Sequence, residues 1–139
     1  MTTVTENRRM QVQTASGLNC LAAIWLFISA FVIPGHGPMV SNNLIFGVIV
    51  FVLAVIRFGG AYESGWLSWI NALIGLWVII SPWAIMGGAP NGPTQAMIVN
   101  NCITGGVVLV LGLWSAFMTT SAPANSLDYP NTTRPSFGR

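Results

Sequence analysis

Side chains able to move a proton, bind a metal or attack a substrate are scarce in this sequence. Its acids are Glu6, Glu63 and Asp128, its single histidine is His36, its two cysteines are Cys20 and Cys102, and all five of its basic residues are arginines. A proton or ion relay across a membrane shows itself as an ionisable residue inside an apolar segment. None of the three acids lies in one, nor does the histidine. His36 stands in the loop PGHGP with no companion His, Cys or Asp at ligand spacing, so no metal site is expected. Cys20 is expected near the inner surface of the membrane and Cys102 near the outer, which argues against a disulfide or a thiol redox pair. There is no nucleophile with a base at a recognisable spacing and no glycine-rich phosphate loop after a strand. The expectation is a non-catalytic protein that needs no cofactor.

The notable polar groups inside the apolar runs are neutral: Asn19, Ser29, Asn42, Asn43, Asn71, Ser81, Asn100 and Asn101. Trp25 and Trp77 accompany them and are the candidates for flanking a quinone, carotenoid or other lipid-soluble molecule. Ordinary packing against helices or lipid is the simpler reading of both.

What positions these groups follows from the solvent. Of 139 residues, 53% are hydrophobic and 6% charged, whereas about a quarter of a soluble domain is charged. The chain is expected to be integral to a membrane. A formal charge of +2 with scattered arginines forms no basic patch, which sets nucleic acid aside as a partner. Four runs are long enough to consider as spans: Ala15 to Ile33, Asn43 to Phe58, Trp66 to Ile85 and Ala96 to Met118. A spanning helix needs about 20 residues, so the second run must borrow Ser41 and Asn42. PGHGP, GGAYESG and GGAPNGP punctuate the runs as short connections.

Arg8 and Arg9 precede the first span, Arg57 ends the second, and Arg134 and Arg139 follow the fourth. With four spans all these positions share one side, and the positive-inside rule puts both termini in the cytoplasm. Tyr62, Trp66, Trp69, Trp114 and Phe117 gather at that interface, and Trp83 at the other. Arg8-Arg9 before an apolar run also resembles a twin-arginine leader, but the first span has an internal counterpart and is read as a span.

That counterpart emerges on shifting the chain by 52 residues: Asn19 falls on Asn71, Trp25 on Trp77, Ser29 on Ser81, Ala30 on Pro82 and Phe31 on Trp83. A shift of 58 puts Asn42-Asn43 on Asn100-Asn101 and Gly47 on Gly105. The expected organisation is residues 1–14 as a cytoplasmic tail, 15–58 as a first helical hairpin, 59–65 as a cytoplasmic loop, 66–118 as a second hairpin, and 119–139 as a cytoplasmic tail, disordered or bound to a partner. Two like-oriented hairpins imply a pseudo-two-fold axis along the membrane normal. The fold class is thus an all-α membrane protein of four transmembrane helices in two duplicated hairpins.

Ser81-Pro82-Trp83, set in the first helix of a two-helix repeat, resembles the signature of the SPW-repeat integral membrane proteins of bacteria and archaea. The resemblance runs from about Leu18 to Phe117, and the first copy reads Ser29-Ala30-Phe31. It implies a four-helix fold in a prokaryotic cytoplasmic membrane and assigns no chemistry.

Helical spacing aligns Asn43, Gly47, Val50 and Ala54 in one stripe and Asn101, Gly105, Val108 and Gly112 in its counterpart. Asn19, Ala23, Leu26, Ala30 and Asn71, Gly75, Val78, Pro82 form the other two. Small and polar residues of this kind join helices in lipid, where apolar burial gives no net drive. Pro82 cannot donate to the Val78 carbonyl, so the third helix is expected to bend or end there, with Ser81 bonding back to the previous turn or across to a neighbour. The triplet therefore reads as a structural corner. In the C-terminal tail, Tyr129, Phe137 and the two arginines offer a docking point, and Asn131-Thr132-Thr133 matches a glycosylation acceptor that a cytoplasmic position would leave unused.

Two functions fit these residues. One is a structural or accessory subunit packed against other membrane proteins or its own copies. The other is a binding or transport module for a small neutral or lipid-soluble molecule, which would show a polar cavity running from Asn19 and Asn71 to the outer asparagines.

Overall fold

The computed structural model describes residues 2–34, 37–59 and 64–120. His36, Tyr62, Glu63 and the tail from Ser121 onward, with Asp128, Tyr129, the Asn131 acceptor, Arg134, Phe137 and Arg139, lie outside the described residues. Four helices account for almost everything else: α1 (Thr2–Val32), α2 (Gly37–Phe58), α3 (Gly65–Met86) and α4 (Gln95–Thr120). Each contains an apolar stretch long enough to cross a bilayer, of 22 to 25 residues. The chain is an all-α membrane protein.

Two boundaries differ from expectation. Helix α1 begins at Thr2 and its apolar stretch at Met10, ahead of the expected Ala15. No glycine or proline interrupts residues 2–16, so a helix nucleated in lipid propagates back through them. At 31 residues α1 is about 46 Å long, at 1.5 Å per residue, and overreaches a hydrocarbon core of about 30 Å. The second span gains six residues over Asn43–Phe58 by starting at Gly37, since Pro38 in a first turn has no helical partner to lose.

The helices pack most extensively as the pairs α1/α2 and α3/α4, and the α1/α4 and α2/α3 contacts close the ring. Only 33% to 44% of each span is buried inside the bundle. The remaining surface is apolar, as lipid demands, with Leu21, Phe31, Leu73 and Ile103 all more than 60% exposed. At mid-height Ala23, Leu26, Val50, Ile74, Val78 and Val108 form the core. Met39, Met86 and Met97 fill the end beneath the α1–α2 and α3–α4 loops.

All four small-and-polar stripes face inward: Asn43, Gly47, Val50 and Ala54 are buried, as are their counterparts on α4. The contacts explain the glycines. A Cβ at Gly105 would stand 2.7 Å from the Gly75 carbonyl oxygen and 2.9 Å from the Ile79 nitrogen, and one at Gly112 would stand 2.7 Å from the Ala72 nitrogen. At Gly75 it would collide with the backbone of Leu109. Gly47 is looser, with 3.2 Å to the Phe27 nitrogen. The α3 and α4 backbones therefore touch more closely than those of α1 and α2, and only hydrogen at the glycine positions permits it.

Candidate functional site

Asn42 and Asn43 of α2, Asn100 and Asn101 of α4, and Ser29 and Ser81 of α1 and α3 meet in one layer near the loop end of each hairpin. Asn43 and Asn101 lie at its centre and exchange side-chain amides, Nδ2 of Asn43 donating to Oδ1 of Asn101 at 3.2 Å and the reverse bond measuring 3.1 Å. Each asparagine next to them in sequence donates inward, Asn42 to Asn43 at 3.3 Å and Asn100 to Asn101 at 3.2 Å. The outer oxygens then accept from indoles of the opposite hairpin. Trp25 Nε1 donates to Asn100 at 2.9 Å, and Trp77 Nε1 donates to Asn42 at 3.0 Å. Two hydroxyls complete the layer, Ser81 accepting from Asn101 at 3.2 Å and Ser29 from Asn100 at 3.1 Å.

Ser29 lies at the level of Asn43 and lines a small cavity with it. Its hydroxyl accepts from Asn100 on α4, whose amide also accepts from Trp25 of α1. Trp25 and Trp77, which the sequence suggested for flanking a ligand, have their indole N–H groups committed to the bundle. Their rings are half exposed on the outside, and Trp77 meets Phe46 at 6.1 Å between centroids. Cys20 and Cys102 are both free thiols.

The corner expected at Ser81-Pro82-Trp83 is not an end. Helix α3 runs past Pro82 for another turn to Met86. Pro82 removes the N–H that would serve the Val78 carbonyl, but the Ser81 hydroxyl donates to that same carbonyl at 2.9 Å. One serine thus replaces the missing donor and holds Asn101 with its lone pair. Ser29 makes the equivalent bond to Leu26 at 2.8 Å, although Ala30 leaves that carbonyl an ordinary N–H. Trp83, half exposed, is on the lipid-facing side of α3.

The family-model comparison matches the SPW repeat domain over residues 13–115, about three quarters of the chain. The chain belongs to the SPW repeat family. No curated protein and no solved structure matched it. In this SPW repeat protein the signature serine and proline work as a unit, one supplying the bond the other deletes.

A second polar layer, which sequence reasoning missed, lies at the opposite end. Arg57, expected at the membrane surface, is only 4% exposed. Its Nη2 donates to Ser115 Oγ at 2.7 Å. Buried Ser16 and Ser68 occupy the same end, with Asn19 and Asn71 deeper. The one available signal was the offset of 58 residues that places Arg57 on Ser115, the same offset that relates Asn43 to Asn101. Between the two layers the bundle is filled by Leu26, Val50, Val78 and Val108, none more than 1% exposed.

Proposed function

We propose that this SPW repeat protein is a non-catalytic structural or accessory subunit of a larger membrane assembly, built from other membrane proteins or from its own copies, in a prokaryotic cytoplasmic membrane with both termini inside. The observation that carries the reading is the outer polar layer. Its amides, indoles and hydroxyls are spent on one another, and the apolar plug of Leu26, Val50, Val78 and Val108 separates it from Asn19 and Asn71. A layer of this kind specifies how helices pair in lipid, where each unpaired amide is costly, and every amide nitrogen and indole N–H in it makes at least one bond within the bundle. The matched bonds at offsets of 52 and 58 also support two like hairpins about a pseudo-two-fold axis along the membrane normal, passing between α2 and α4.

A specific feature favours a second reading, a binding module for a lipid-soluble molecule. A groove of about 710 Å³ runs between α1 and α4, lined by Leu21, Ala22, Trp25, Ile103, Gly106 and Val110 among others. Native purification followed by mass spectrometry of what remains bound separates the two. The assembly reading expects a membrane protein or further copies of the chain at fixed stoichiometry. An isolated single chain carrying a quinone or pigment that is lost on Leu substitution of Gly106 would overturn it in favour of the groove.

A further inference from the structure

Among the described side chains Arg57 is the one charged group that is buried. An arginine near a helix end in lipid normally reaches along the helix toward water. This one does not. Asn43–Asn101 and Arg57–Ser115 are bonded pairs with the same sequence offset, so α2 and α4 run parallel and in register, and Ser115 lies level with Arg57. The bond to Ser115 therefore carries the guanidinium sideways between the hairpins.

Its surroundings follow from the helix registers. Gly47 packs between Ala23 and Phe27, which brings Arg57, ten residues on, level with Ala15 and Ser16 of α1. Gly112 packs on Ala72, which brings Ser115 level with Ser68 of α3. Four polar residues from four helices thus share one depth, all buried. Two of their groups have no partner: Arg57 Nε and Ser68 Oγ. Among the described residues the only acid is Glu6, which is exposed and about 15 Å along α1 from Ser16. A buried cation with an idle donor and no carboxylate beside it among the described residues is the condition that an anion relieves. Asn19 and Asn71 offer idle carbonyl oxygens deeper in, which suit water beside the anion and not the anion itself.

We propose that Arg57, with Ser68 and Ser115, anchors a binding site for a phosphate group at this end of the bundle. The planar guanidinium matches phosphate geometry, and hydroxyl donors complete its coordination. A phosphate reaches this depth from two sources, a lipid headgroup or free inorganic phosphate. Toward the same end, on the α1/α4 side, a mostly apolar cavity of about 400 Å³ lined by Met10, Thr14, Ala15 and Trp114 among others shares Leu18 and Leu111 with the long apolar groove between those helices. A buried cation at a helix end, with apolar troughs toward the same end, suits the phosphate and acyl chains of a phospholipid.

The test uses the full chain purified without phosphate. One arm titrates inorganic phosphate in neutral detergent. The other compares phosphatidylcholine nanodiscs with and without phosphatidylglycerol, reading retained lipid by native mass spectrometry. Saturable binding of either probe, weakened at least about tenfold by Arg57→Gln as the loss of a charge-assisted bond requires, is the expected result. Phosphatidylglycerol alone identifies a lipid site, and phosphate binding identifies a free-anion site. Absence of saturable binding in both arms, or equal binding by Arg57→Gln, overturns the proposal. Should Arg57→Gln fail to fold, Ser68→Ala decides instead, since it removes a hydroxyl with no present bond. A several-fold weakening supports the site and unchanged affinity overturns it. The assembly reading stands or falls separately, on co-purifying protein in the same samples.

Discussion

Replacing Ser81 by alanine should be far more damaging than replacing its counterpart Ser29, although both hydroxyls make the same two kinds of bond. Ser81→Ala leaves the Val78 carbonyl with no donor, because Pro82 has no N–H, and Ser81 and Pro82 are both buried beyond the reach of water. An unsatisfied buried backbone carbonyl costs about 1–3 kcal/mol. Loss of the Asn101 bond adds roughly 0.6–1.7 kcal/mol, the range for interhelical bonds in membranes, although Asn101 keeps its bond to Asn43. The sum is about 2–5 kcal/mol. Ser29→Ala loses only the second kind of bond, since Ala30 retains a donor for Leu26, and should cost about 1 kcal/mol. Pro82→Ala supplies the missing N–H. In that background Ser81→Ala should also cost only about 1 kcal/mol, leaving a coupling between the two sites of about 1–3 kcal/mol, the cost of the unsatisfied carbonyl. Reversible unfolding in mixed micelles titrated with SDS, followed by circular dichroism, measures all four corners of the cycle. Equal costs for Ser29→Ala and Ser81→Ala, or an additive cycle, would refute the idea that the serine replaces the proline's absent donor.

Adjacent glycines provide a second check. Gly105→Ala drives a methyl against the Gly75 and Ile79 backbone and should destabilise by about 1–3 kcal/mol, whereas Gly106→Ala meets nothing within 4 Å and should be neutral or gain up to about 1 kcal/mol in the same assay. Topology is checked by thiol labelling of intact cells after Cys20 and Cys102 are replaced by serine. Cysteine at exposed Asn91 should react from outside and cysteine at exposed Asn7 only after permeabilisation, and the reverse pattern would invert the assigned orientation.

The sequence alone determined the solvent, the number of helices and the faces that meet. A near absence of charge can be accommodated only in lipid, and small and polar residues at helical spacing mark where backbones approach, as Gly75, Gly105 and Gly112 do. It also singled out Ser81 and Pro82, since their chemistry acts over one turn of a single helix and needs no neighbour to be known. Tertiary structure decided everything that depends on the rotation and relative height of separate helices. Periodicity placed Asn100 on an inner face but left open whether it would hold Ser29 or a residue of its own hairpin, and a half-exposed Trp25 gave no hint that its N–H was already taken. Arg57 shows the reason most plainly. An arginine in the last turn of a helix satisfies the positive-inside rule whether its side chain points to water or across the bundle, and the choice rests on Ser115, 58 residues away, lying level with it and within 2.7 Å of its guanidinium.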